Sequence, residues 1–194
     1  VLISCIWGFS VLDFFCSVGD LMIRSLAKGV YRWSYAVVSS LVNFFPDSPF
    51  GNRLRGLILG RFMKGSRKNL SISKSTNILY PYNVVIGDDV FIGFNSWINA
   101  QGNVVIEDYV ILGPFVVIAT GNHTFDNGSY RFGLHEKRRV KINEGAWIAA
   151  HSSIVPGVEI GARSVVAAGS VVISAVDQDS LFAGNPAKIV KRLR

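Results

Sequence analysis

His123 is the residue whose type and setting point most directly to chemistry. It lies in Ala119-Thr-Gly-Asn-His123-Thr-Phe-Asp-Asn-Gly-Ser-Tyr-Arg131, a polar, glycine-containing stretch. An imidazole titrates near neutrality, so such a side chain can take a proton from an attacking hydroxyl and return it later. A base of this kind works best when a partner orients it, and Asp126 and Glu136 lie in the same stretch. A lone loop histidine is also often no more than a solvated side chain. The other two histidines read as surface residues: His135 in the basic run Leu-His-Glu-Lys-Arg-Arg, and His151 at a small-residue turn. Asn95 and Asn99 could bond sugar hydroxyls as both donors and acceptors, and Trp97 between them could stack on a sugar ring. The alternative for the asparagines is a turn role in left-handed backbone, and for Trp97 packing against a neighbour.

These groups need a rigid scaffold, and the repeat supplies one. From residue 142 the aliphatic positions recur every sixth residue: Ile142, Ile148, Ile154, Ile160, Val166 and Val172. The same step gives Ile86, Ile92, Ile98 and Ile106, Leu112, Ile118, with a weaker start at Ile72 and Ile78. Helices repeat near 3.6 and half-buried strands at 2, so a period of six is neither. It fits a triangular coil in which each short strand is one side and one aliphatic residue per side points inward. Stacked coils bury a continuous column, each coil leaning on its neighbours. The period slips by two residues between 78 and 86 and again between 98 and 106. From 118 to 142 the chain makes an excursion that contains His123. The expected organisation is a helical extension over 1–70, a β-solenoid over 71–176 with a catalytic loop over 119–141, and a basic tail over 177–194.

The N-terminal segment differs in character. Arg24, Lys28 and Arg32 share one helical face over 21–32, with Leu21, Ile23, Leu26 and Val30 elsewhere on the surface. Apolar residues continue to Phe45, Pro46-Asp-Ser-Pro49 marks a turn that Asp47 or Ser48 could use as a cap, and 50–63 reads as a basic, Leu-rich helix with Arg53, Arg55 and Arg61. Two roles stay open, and both can hold. The helices could cap the open end of the solenoid, or residues 1–48 could contact a membrane surface peripherally. No transmembrane helix is expected, because the uncharged runs are too short. Residues 1–12 lack the basic leader and small-residue cleavage pattern of a signal peptide.

Charge is uneven. Residues 1–70 carry nine Lys/Arg against three Asp/Glu, residues 71–184 seven against ten, and the last ten residues four against none. Basic ends suit anionic partners such as phosphates or lipid headgroups. Nothing resembles a nucleic-acid recognition module, so no nucleic-acid partner is expected. Two cysteines, Cys5 and Cys16, could form a structural disulfide but read first as buried free thiols, which favour a reducing, cytoplasmic setting. With three scattered histidines they offer no metal-ligand set, which also disfavours a metal-dependent hydratase on the same scaffold. A structural or ice-binding solenoid would show Thr-rich faces and no interrupting loop.

Gly145–Val172, reading GAWIAAHSSIVPGVEIGARSVVAAGSVV, and the later AGNPAK resemble the C-terminal half of hexapeptide-repeat acetyltransferases. The stretch ATGNHTFDNGSYR is similar to the loop of those enzymes that carries their histidine and, several residues on, an arginine. NILYPYNVVIGDDVFIGFNSWINA is most similar to the polysaccharide O-acetyltransferases of the colanic-acid type. The resemblance spans 72–190 and implies a left-handed parallel β-helix; the period alone carries no handedness. It further implies a homotrimer with acetyl-CoA in the groove between subunits, and His123 as catalytic base. Asn95, Trp97, Asn99, Asp126 and Arg131 become candidates for the carbohydrate acceptor. Ala150 and Ala168 match small residues along pantetheine, and Lys188 and Lys191 match basic residues at the CoA phosphates. Ile173-Ser174 stands where family members carry Thr-Lys, and Arg163 is a candidate replacement for the missing contact. Gly93 replaces an Asn that the sugar acetyltransferases carry before an aromatic-Asn pair. This departure shifts the expected acceptor from a small soluble sugar, antibiotic or serine toward a surface polysaccharide or its lipid-linked precursor.

Overall fold

A computed structural model describes residues 11–193, with the side chains of 11–21 and Arg24 outside the description. The thiols of Cys5 and Cys16 therefore lie outside it. Two helices, α1 (Val11–Val42) and α2 (Pro49–Leu59), precede a parallel β-solenoid of about six turns.

The first coil is β1 (Ser71–Ile72), β2 (Asn77–Leu79) and β3 (Val84–Ile86). The second is β4 (Phe91–Ile92), β5 (Trp97–Asn99) and β6 (Val104–Ile106). In the third coil β7 (Ile111–Leu112) and β8 (Val117–Ala119) are followed by a hairpin, β9 (Gly121–His123) and β10 (His135–Lys137). Only then does β11 (Val140–Ile142) complete the turn. The fourth coil is β12 (Trp147–Ile148), β13 (Ser153–Ile154) and β14 (Glu159–Ile160), and the fifth holds β15 (Val165–Val166) and β16 (Val171–Val172). β17 (Ser180–Gly184) begins a sixth, and β18 (Ala187–Arg192) folds back antiparallel to it. Three faces result. The first stacks β1, β4, β7, β12, β15 and β17; the second β2, β5, β8, β13 and β16; the third β3, β6, β11 and β14.

The period-six residues are the inward columns. Ile72, Ile92, Leu112, Ile148 and Val166 lie in register on the first face, and Ile78, Ile98, Ile118, Ile154 and Val172 on the second. Ile86, Ile106, Ile142 and Ile160 line the third. All are buried, each contributing roughly 1.5–3 kcal/mol of transfer free energy. At the corners the chain turns through left-handed residues, for example Ser75, Asn95, Phe115 and His151 between the first and second faces. Buried hydroxyls behind them tie adjacent coils: Thr76 Oγ1 donates to the Gly93 carbonyl at 3.2 Å, and Ser96 Oγ to that of Gly113 at 3.1 Å. The three irregular spans of the sequence, 78 to 86, 98 to 106 and 118 to 142, all fall at the corner between the second and third faces.

The helices close the N-terminal end of the columns. Tyr35, Val42, Leu59 and Met63 join Leu70 and Ile72 in one apolar cluster. Ser48 is the N-cap of α2, its hydroxyl accepting from the Gly51 N–H at 3.1 Å. Gly56 lets α2 press on the first coil: a Cβ there would sit 1.9 Å from the Leu70 carbonyl oxygen. Of the three arginines in the basic helix read over 50–63, Arg55 is not on the surface. It is buried, donates to the carbonyls of Ile72 at 2.8 Å and Phe45 at 3.0 Å, and pairs with Asp47 at 3.1 Å. Its charge thus fastens helix, turn and first strand together. Lys28 and Arg32 face the rings of Tyr82 and Tyr80, at 5.9 and 4.3 Å.

Candidate active site

His123 ends β9, and its cross-strand partner on β10 is His135. Their ring centroids are 4.3 Å apart with the planes at 59°. The hairpin tip is a tight turn. Asp126 and Ser129 exchange backbone hydrogen bonds of 3.0 and 2.9 Å around Asn127 and Gly128, both at positive φ. The base is tied to the preceding coil: Thr120 is buried, donates to the Asn99 carbonyl at 2.6 Å and accepts from the Gly102 N–H at 2.7 Å. The hairpin is therefore a fixed projection from one corner.

Neither carboxylate considered as an orienting partner reaches His123. Glu136 is paired with Arg138 at 2.8 Å, and Asp126 sits at the exposed tip. The Arg131 backbone N–H donates to Ser129 Oγ at 3.0 Å, and its side chain is exposed near that tip. Asn99 lies at the His123 corner one coil earlier, its Oδ1 accepting from the Gln101 N–H at 3.2 Å. Trp97 stands half-buried on the second face between Asn77 and Val117. Asn95 is at the other end of β5, at φ 56° in the corner between the first and second faces.

The candidate cofactor residues divide in the same way. Ala150 and Ala168 stack in the corner between the first and second faces, where the Gly169 N–H bonds the Ala150 carbonyl at 2.9 Å. Exposed Ile173 and Ser174 follow β16 at the corner that His123 occupies two coils earlier. Lys188 and Lys191 are exposed on β18. Arg163 is engaged elsewhere: Asp179 accepts from its Nε at 2.8 Å and from Nη2 at 2.7 Å, a contact that also raises its pKa. A cavity of about 540 Å³ lies between α1 and β2, lined by Trp33, Asn43, Asn77 and Tyr80 among others, two coils from the His123 hairpin.

Residues 139–174 match the bacterial transferase hexapeptide (six repeats) family, and residues 83–121 match the hexapeptide repeat of succinyl-transferase. YJL218W of Saccharomyces cerevisiae, assigned as an acetyltransferase, is 34% identical over 146 residues, covering 75% of this chain and 74% of its own. WcaF of Escherichia coli, assigned as a colanic acid biosynthesis acetyltransferase, is 30% identical over 180 residues, covering 89% and 96%. The chain belongs to the hexapeptide-repeat acetyltransferases. Among solved structures, a hexapeptide-repeat acetyltransferase of Vibrio cholerae in complex with acetyl coenzyme A superposes with a TM-score of 0.74 at 27% identity, covering 86% of this chain and 88% of that one. A galactoside acetyltransferase in complex with coenzyme A gives 0.75 at 25%, covering 87% and 83%.

Within this acetyltransferase, Gly93 has a physical reason. A Cβ there would lie 2.5 Å from the Gly113 carbonyl carbon and the Pro114 nitrogen, so the next coil leaves no room for an amide. Two neighbours of the candidate site escaped the sequence. His135 lies opposite His123, and its only signal was a position on the returning arm of the excursion. Gln101 projects beside Gly121, where a Cβ would be 2.9 Å from its Oε1. His151 stacks on Phe115 at 4.7 Å, away from the hairpin.

Proposed function

We propose that this chain transfers the acetyl group of acetyl-CoA to a sugar hydroxyl of a surface polysaccharide or its lipid-linked precursor, acting in the cytoplasm, with His123 as general base. The observation that carries this reading is His123 itself, presented on a hairpin anchored at the one corner where the repeat is interrupted. The imidazole takes the hydroxyl proton as the acceptor oxygen attacks the thioester carbonyl. When the tetrahedral species collapses, the carbon–sulfur bond breaks and the departing thiolate receives that proton. The oxyanion requires a fixed donor, which a backbone N–H of an adjacent coil can supply. Asn99 and Trp97 face the acceptor, with Asp126 and Arg131 at the hairpin tip and Asn95 at its far margin.

The residues present suit the cofactor. Ala150 and Ala168 leave space for pantetheine along their corner, Ile173 and Ser174 lie at the corner that carries His123, and Lys188 and Lys191 offer cations to the phosphates. In one chain, Ala150 and Ala168 occupy a different corner from His123. Packing three prisms side by side lays one corner of each against another corner of its neighbour, so a homotrimer would complete the site between subunits. A glycan acceptor is favoured over a small soluble one because Gly93 leaves no room for the amide of the sugar acetyltransferases. A lipid-linked acceptor would also bring the enzyme to a membrane.

The test is an acceptor panel with acetyl-CoA, reading thiol release for polysaccharide fragments, lipid-linked sugars and small acceptors. Glycan-dependent release is expected, with a loss of at least ~10² in His123→Ala. Near-normal turnover by the folded variant overturns the base assignment. Release with small acceptors alone overturns the glycan reading.

A further inference from the structure

Helix α1 presents two unlike sides. Tyr31, Tyr35, Val38 and Val42 turn toward the solenoid and α2. On the opposite side Met22, Leu26, Val30, Trp33, Val37 and Leu41 follow one another at steps of four, four, three, four and four, and all are exposed. Leu26 is 72% exposed, Trp33 69% and Leu41 60%. The apolar surface continues past the helix with Phe44 at 86% and Phe50 at 75%. On α2 and the 3-10 turn that follows it (Gly60–Phe62), the exposed residues Phe50, Arg53, Leu57 and Arg61 alternate apolar and basic. Soluble surfaces rarely leave an apolar stripe of this length uncovered.

We propose that the outward stripe of α1, with Phe44, Phe50 and the exposed cations Arg53 and Arg61, docks on an anionic lipid surface, α1 lying in the headgroup region. Charge selects this occupant. Residues 21–46 contain no Asp or Glu, and residues 1–70 carry nine Lys/Arg against three Asp/Glu. The structure commits Asp47 to Arg55. A second copy of the helix would bring Arg24, Lys28 and Arg32 of each copy together against only Asp13 and Asp20, which lie in the first ten residues of α1 and outside the stretch that carries the stripe. Lipid phosphates supply the missing sign. The stripe's five steps span the 19 residues from Met22 to Leu41, a longer period than the roughly 3.5 that a left-handed coiled coil requires. The chain before it, residues 1–12, is uncharged and mostly apolar. Among the described residues no helix is long and apolar enough to cross a membrane, so the contact is interfacial. Lys28 and Arg32 are turned to the Tyr82 and Tyr80 rings. Among the described residues the lipid-facing cations are Arg53 and Arg61, a different set from the one that helical spacing alone suggests.

This inference deepens the lipid-linked reading by naming the partner surface, and its test reads binding rather than turnover. Full-length protein is sedimented with vesicles of phosphatidylcholine alone and of equal parts phosphatidylcholine and phosphatidylglycerol, without acetyl-CoA. The expected result is binding to the mixed vesicles that weakens with salt. Leu26→Ser with Leu41→Ser should weaken it by ~10-fold or more, as should Arg53→Ala with Arg61→Ala. Far-ultraviolet circular dichroism confirms folding, and His123→Ala should bind like the parent. No binding to mixed vesicles overturns the proposal, as does equal binding of parent and Leu variants. A drop in molecular mass in the Leu variants, read by sedimentation without vesicles, assigns the stripe to a second copy and overturns it as well.

Discussion

On the first face, Ile72, Ile92, Leu112, Ile148 and Val166 succeed one another in strict register and are fully buried. At the corner between the second and third faces the same chain takes a short turn, another short turn, and then the long excursion that carries His123. Yet Ile86, Ile106 and Ile142 beyond that corner still stack in register. Inserted length is therefore absorbed outside the prism, since lengthening a surface loop costs little extra closure entropy. The columns have no such freedom, because every inward side chain is packed by the coils on either side. His123, the proposed base, sits where the scaffold permits length to vary.

The comparison can be broken most severely at a column. Ile148→Ala should destabilise the fold by about 2–5 kcal/mol, read as a shift of the chemical denaturation midpoint. A loss under about 1 kcal/mol would mean that the columns tolerate change as the corner does. Next is His123→Ala, which should lower thiol release by at least ~10² and leave that midpoint within about 0.5 kcal/mol of the parent. Gly93→Ala probes a corner that is not free. Its Cβ would meet the backbone of the next coil at 2.5 Å, so a loss of roughly 1–3 kcal/mol is expected in the same denaturation experiment.

His135→Ala separates position from chemistry. It should reduce turnover by about tenfold through loss of the neighbour that limits the His123 ring, with KM for acetyl-CoA unchanged, while His135→Phe should restore part of the loss. No effect from either variant would leave His135 as a surface residue. The smallest effect is expected at the ion pair that braces the returning strand. Lys141 Nζ lies 2.8 Å from Glu107. The hydrogen bond from Lys141 holds the Glu107 carboxyl below the usual carboxylate range, against the opposing effect of burial. A depressed folded-state pKa means that the stabilisation is present above the unfolded value and is lost as pH falls through the folded one. Glu107→Gln should cost no more than about 1 kcal/mol at neutral pH, and the difference from the parent should vanish in acid.

Much of the scaffold was legible beforehand because its signal is periodic. Each inward residue repeats every sixth position irrespective of what lies across the prism, and the small and hydroxyl residues at the corners follow the same count. The polar excursion stood out as the place where the count failed. The helical extension and its Ser48 cap were legible from local signals of the same kind. What separated Asn99 from Asn95 was invisible, since four residues along the chain are enough to move a side chain from one corner to the next.

By itself the sequence determined the aliphatic columns, the interrupted corner and a histidine at that corner, because all three are properties of spacing along the chain. Tertiary structure alone decided that His135 returns opposite His123, that Arg55 is an internal fastener, and that Lys28 and Arg32 meet tyrosines. It also decided that Ala150 and Ala168 occupy a different corner from His123, whereas Ile173 and Ser174 share its corner. Each of these depends on the path by which a segment comes back, which hairpin register and helix packing set and which no local period encodes.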